Sequence, residues 1–150
     1  MANLSCYLNK ALSKPTQILI DITKRCNARC LMCDLWRKNG TPVNDELSIK
    51  EWSSFLLDLK LWLGPYFVTF NGGEPFVKEG FLDLLRFCKD NQIKTHVITN
   101  GIAFDINYCD FILKAGVNFI TFSLDSKFSQ IHDKFRGVEG AHKKIVEAIK

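Results

Sequence analysis

Cys26, Cys30 and Cys33 fall within eight residues, in the run Arg-Cys-Asn-Ala-Arg-Cys-Leu-Met-Cys. The spacing is C-x3-C-x2-C, and thiolates this close together are the usual ligands of iron–sulfur clusters and of structural zinc. Three ligands are one short of a closed site of either kind. On a 4Fe–4S cluster, which takes one protein ligand per iron, such a loop leaves one iron open to a small molecule. A zinc site would need a fourth ligand from Cys6, His96, His132 or His142, and none of these stands at finger-type spacing from Cys33. Unligated structural thiols are the third alternative. Cys88 and Cys109 lie on apolar faces of predicted helices and read as core, while Cys6 carries no signal.

Further segments hold residues able to line a ligand site. Asn71-Gly72-Gly73-Glu74-Pro75 contains paired glycines, which permit either a close backbone approach to a ligand or a tight turn. Thr99-Asn100-Gly101 and Ser123-Leu124-Asp125 are polar strand-end segments of a kind common in loops. His132-Asp133-Lys134-Phe135-Arg136-Gly137 carries an arginine whose planar fork suits a carboxylate. His132 and Asp133 read as loop or cap residues.

Alternating strand and helix periods position these segments. Gln17 to Thr23 predicts a strand. Ser48 to Leu63 has apolar residues at 49, 52, 55, 56, 59 and 63, a helical spacing, with a Ser48/Glu51 capping box and a Gly64-Pro65 stop. Tyr66 to Phe70 is a second strand, and Glu79 to Asn91 a second helix burying Leu82, Leu85 and Cys88. Thr95 to Thr99 and Val117 to Leu124 are the third and fourth strands, separated by a helix over Asp105 to Ala115 that Gly116 closes. A fourth helix starts at Glu139, with Ile145, Val146 and Ile149 on one face. Strands separated by helices pair in parallel through right-handed crossovers. The fold class is therefore α/β, either a doubly wound sheet or, as preferred here, a parallel-stranded partial β/α (TIM-like) barrel of about four βα units. The last helix is still running at Lys150, which predicts a truncated chain whose exposed sheet edge favours association or marginal stability.

Ligand sites in β/α architectures gather at the carboxyl ends of strands, and Cys26, Gly72, Asn100 and Ser123 each follow a different predicted strand there. In that order and with those identities, the segments resemble the radical S-adenosylmethionine (radical SAM) superfamily, from about Thr16 to the end of the chain. The resemblance implies a 4Fe–4S cluster on Cys26, Cys30 and Cys33, whose open iron chelates S-adenosylmethionine and whose electron splits it to a 5'-deoxyadenosyl radical for hydrogen abstraction. It also implies cofactor-binding roles for Gly72, Gly73, Glu74 and Pro75 (methionine amino group), Asn100, Ser123 (ribose or methionine carboxylate) and Arg136 (methionine carboxylate). Met32 occupies the position near the adenine where an aromatic residue is common. Residues 1–15 would be an amino-terminal extension, and 16–150 the incomplete core domain. A low-potential electron donor, flavodoxin or ferredoxin, is the implied partner, with a peptide among the candidate substrates. The alternative is a non-catalytic iron–sulfur or zinc-binding module.

Composition is compatible with this reading. The 150 residues are 47% hydrophobic and 24% charged with a net charge of +4, too small an excess to call for nucleic acid or an anionic membrane. No stretch approaches the roughly 20 apolar residues of a membrane span. No secretory signal is evident either, so a cytoplasmic location is expected.

Overall fold

The computed structural model describes residues 14–37, 45–104 and 106–150. Cys6, most of the expected amino-terminal extension and Asp105 lie outside the described residues. Strands β1 (Gln17–Thr23), β2 (Phe67–Gly72), β3 (Lys94–Thr99) and β4 (Phe119–Phe122) alternate with helices α1 (Ile49–Leu63), α2 (Phe81–Asp90) and α3 (Ile106–Ala115), and β4 leads into α4 (Ser129–Arg136) and α5 (Ala141–Ile149). The capping box at α1 forms as read: the Ser48 hydroxyl accepts from the Glu51 amide while the Glu51 carboxylate accepts from the Ser48 amide.

The strands are all parallel and lie in the order β1-β2-β3-β4. A doubly wound sheet reverses direction from its first strand, whereas a barrel adds strands in sequence. The sheet is therefore part of a β/α barrel. Period-2 alternation places Ile20, Ile22, Val68, Phe70 and Val97 on the helix side, in one core with Leu56 of α1, Leu84, Leu85 and Cys88 of α2 and Ile112 of α3. Each such fully buried side chain contributes on the order of 1.5–3 kcal/mol. Among the described residues no helix is long and apolar enough to cross a membrane.

Three expectations need correction. His132, read as a loop or cap residue, is instead the fully buried residue of a helix, α4 (Ser129–Arg136). Phe55 is not part of the buried α1 face but lies 43% exposed, edge-on to Trp52. In α5 the buried face is Ala141 and Ile145, and Ile149 is 55% exposed. Cys88 is core as expected, whereas Cys109 is only half-buried against it.

Asp133 does act as a cap, but for the following helix. Gly140 supplies no side chain at the start of α5, and the Asp133 carboxylate accepts the backbone N–H groups of Gly140 and His142, each at 2.8 Å. These bonds hold its carboxyl below the usual carboxylate range. The Asp133→Ala variant should lose about 1 kcal/mol of stability in urea titrations at neutral pH. Because the folded pKa is depressed, that difference should shrink as the pH falls below the unfolded value of about 3.9 and vanish below the folded one.

Candidate metal and cofactor site

The chain leaving β1 turns straight into the cysteine loop and is zipped to the chain leaving β2. The amide of Gly73 donates to the Thr23 carbonyl (2.7 Å) and that of Glu74 to the Arg25 carbonyl (2.8 Å). A side chain at Gly72 would collide with the Thr23 carbonyl and one at Gly73 with the Arg25 carbonyl, and Gly72 also sits at φ 113°. The paired glycines thus serve a close approach between two segments of the chain itself. On its other side the loop is tied to the end of α4, where the amides of Arg29 and Leu31 donate to the carbonyls of Arg136 and Phe135, both at 2.9 Å.

Between these ties the three thiols face a cavity of about 250 Å³, which Met32, Gly72, Gly73, Asn100, Ser123 and Arg136 also line. N–H groups point at two of the sulfurs. Cys26 Sγ accepts from the Ala28 amide at 3.4 Å and from Asn100 Nδ2 at 3.6 Å, and Cys30 Sγ from Arg136 Nη1 at 3.6 Å. Burial pushes the Cys26 thiol up, with the Ala28 amide opposing. Trp36, another lining residue, donates from Nε1 to the Cys30 carbonyl at 2.9 Å and lies beneath the guanidinium groups of Arg29 and Arg37.

Glu74 and Pro75 do not line the cavity. Glu74 is fully buried, and its carboxylate accepts from the Thr99 hydroxyl (2.7 Å), the Asn100 amide (2.7 Å) and the Phe76 amide (3.3 Å). Pro75 opens a 3-10 turn that carries Phe76 into edge-on contact with Phe81, Phe104 and Tyr108. Arg136 lines the cavity, yet its fork is engaged: Nε donates to Asp125 Oδ2 at 2.6 Å and Nη2 to Asp125 Oδ1 at 3.1 Å. Sequence reasoning missed Trp36, Asp125 and Asn27, whose Oδ1 accepts from Asn100 Nδ2 at 2.8 Å. The aromatic residue three positions beyond Cys33 was the available signal for Trp36.

The chain matches the Radical SAM superfamily over residues 20–150. It is 28% identical to the Fe-coproporphyrin III synthase of Methanosarcina barkeri over 137 residues, covering 91% of this chain and 34% of that protein. It is 27% identical to the PqqA peptide cyclase of Granulibacter bethesdensis over 140 residues, covering 91% of this chain and 36% of that protein. Among solved structures, SuiB of Streptococcus suis bound to S-adenosylmethionine superimposes with a TM-score of 0.77 at 25% identity, covering 98% of this chain and 33% of SuiB. The chain belongs to the radical SAM superfamily, a family of enzymes whose cofactors are a 4Fe–4S cluster and S-adenosylmethionine. It spans about a third of the length of the curated relatives it matches.

Two predictions follow from the ties around the loop. Gly73→Ala forces backbone apart and should lower stability by about 1–3 kcal/mol, read as a lower urea midpoint. Burial holds the Glu74 carboxyl above the usual range against its three donors, so the folded chain binds this proton more tightly than the unfolded one. Its contribution is therefore complete below about pH 4.3 and is lost as the pH rises through the folded pKa. Measured against pH, the unfolding free energy of wild type should fall across that window relative to Glu74→Gln, and parallel curves would contradict this.

Proposed function

We propose that Cys26, Cys30 and Cys33 hold a 4Fe–4S cluster with one iron open to S-adenosylmethionine, within a core domain over residues 16–150. The observation that carries this reading is the convergence of three thiols with residues from all four strand ends on one cavity. The donor set fits the group: three cysteines line one cavity, and two of the sulfurs accept N–H bonds of the kind that stabilise negative charge on a ligating thiolate. Among the described residues no three His, Cys, Asp or Glu side chains are gathered as a single metal ion needs.

When bound, these cofactors supply reductive cleavage of S-adenosylmethionine to a 5'-deoxyadenosyl radical, which abstracts hydrogen from the substrate. The chain's own residues bind and orient. Met32, exposed beside the thiols, offers an adaptable apolar surface for adenine. Gly72, Gly73 and Ser123 line the same cavity and would face the methionine and ribose portions of a bound S-adenosylmethionine. Asn100 braces Cys26, while Glu74 acts from beneath by fixing the Asn100 backbone. The electron comes from a low-potential carrier such as flavodoxin or ferredoxin. The substrate is a peptide or a cofactor precursor, a range supported by the peptide cyclase and porphyrin synthase names of the relatives.

Anaerobic reconstitution with iron and sulfide should give roughly four irons per chain, an electron paramagnetic resonance signal of the reduced protein that changes on adding S-adenosylmethionine, and 5'-deoxyadenosine under reduction. Cys30→Ala should lose the cluster signal. Uptake of zinc alone, or a full cluster in Cys30→Ala, would overturn the ligand assignment.

A further inference from the structure

Helix α4 turns large apolar residues away from the core. Phe128 at its cap, Ile131 and Phe135 recur once per turn and are 56, 52 and 41% exposed, while the buried residue of the helix is His132. The stripe runs into the cysteine loop. The Leu31 amide donates to the Phe135 carbonyl at 2.9 Å, and Leu31, the covalent neighbour of Cys30, is itself 50% exposed. Large apolar side chains exposed in a continuous row, rather than singly, mark a contact surface. This one ends beside a thiol.

The rim of the row is cationic. The Lys127 ammonium stands 5.0 Å from the centroid of the Phe128 ring, and Lys134 is exposed immediately before Phe135. On the loop side, Arg29 and Arg37 are exposed, 5.7 and 5.2 Å from the Trp36 ring, and are anchored on the carbonyls of Cys26, Ala28 and Leu31. Carboxylates that flank these residues are engaged within the chain: Asp34 pairs with Arg37 at 3.2 Å, and Asp133 caps α5. An apolar centre with a positive rim fits an acidic protein partner, and the rim speeds the encounter.

We propose that the surface running from Phe128 through Ile131 and Phe135 to Leu31 is where an acidic one-electron carrier docks to reduce the cluster. The proposal rests on the ligand assignment above and gives its electron donor a place on the chain. The carrier's flavin passes from anionic hydroquinone to neutral semiquinone and the cluster gains that one electron; no proton moves and no bond forms or breaks. Contact at Leu31 puts the carrier one residue from a ligating sulfur. Redox encounters use small interfaces, below about 1,200 Å² in all, because the spent carrier has to leave. A single helix stripe with steering charges at its rim suits that requirement.

The test mixes the reconstituted chain anaerobically with the hydroquinone of an acidic flavodoxin and follows cluster reduction by stopped-flow absorbance. Photoreduced 5-deazaflavin, a small reductant that needs no docking surface, is the reference. Lys127→Glu/Lys134→Glu should slow reduction by flavodoxin about tenfold at low salt, and added salt should remove most of the difference. Ile131→Asp, which sets a carboxylate in the middle of the stripe, should slow it too. Reduction by deazaflavin should be unchanged in both. Lys94→Glu/Lys114→Glu makes the same change of net charge where β3 begins and α3 ends, away from the cysteine loop, and should keep the wild-type rate. Equal slowing in that control, slowing with deazaflavin as well, or a flavodoxin rate untouched by both patch variants would overturn the proposal. A wild-type dimer in sedimentation that Ile131→Asp dissociates, with the flavodoxin rate unchanged, would give the face to a second copy instead. A wild-type chain that assembles no cluster sinks the ligand assignment alone. Calorimetric titration with oxidised flavodoxin then judges the surface: binding about tenfold weaker in Lys127→Glu/Lys134→Glu supports it, and equal binding overturns it.

Discussion

A carboxylate removed from water must find donors, and Glu74 finds them on the neighbouring strand. Its oxygens take the Thr99 hydroxyl and the Asn100 amide at the end of β3 as well as the Phe76 amide of its own turn. An unpaired carboxylate at this depth would cost several kcal/mol, so the β2 and β3 ends are held in one relative position. The consequence reaches the thiols. With its backbone fixed, Asn100 accepts from the Ile102 amide through Oδ1 and directs Nδ2 to Asn27 and Cys26. A residue that touches no part of the cavity therefore decides where one of its sulfurs is braced.

The cysteine loop has little regular structure of its own, and its shape is borrowed from both sides. Toward β2 it leans on the two amides beyond Gly72, and toward α4 on two helix-end carbonyls. Beneath it Ala28 and Cys30 pack with Ile102 and Ala141, the latter at the start of α5. The ties come from the β2, β3 and β4 units, so the shape of the loop depends on how those units pack around it. The glycines make this possible: Gly72, Gly73 and Gly137 each stand where a Cβ would strike the backbone of the loop or its approach.

What could be read from the sequence depended on whether burial was signalled by apolar residues. The strands and α1 to α3 were legible because Val68, Phe70, Val97, Leu84 and Leu85 mark their buried faces at the right periods. Helix α4 was not, since its buried residue is a histidine while Ile131 and Phe135 face outward. The apolar pattern there points away from the core. The motif residues were legible as a set, because strand ends converge in a β/α layout, but their tasks were not. Glu74 and Arg136 read as groups awaiting a ligand, and their partners, Thr99, Asn100 and Asp125, lie too far along the chain for local spacing to reveal the pairing.

The inner face of the sheet shows why the chemistry gathers at the rim. A line of side-chain bonds crosses all four strands there, from Gln17 Nε2 to Thr69 Oγ1 at 3.0 Å, on to His96 Nδ1 at 3.4 Å, and from His96 Nε2 to Thr121 Oγ1 at 2.8 Å. These groups satisfy one another, and Phe67 and Phe119 pack together beside them with ring centroids 5.6 Å apart. Nearer the carboxyl ends the alternation continues with Ile98 and then breaks down as the strands end, leaving backbone amides, thiols and the polar ends of Asn100 and Ser123 around the cavity. Polar capacity that is spent across the middle of the sheet is left open at the strand ends, which is where a bound group must find its partners.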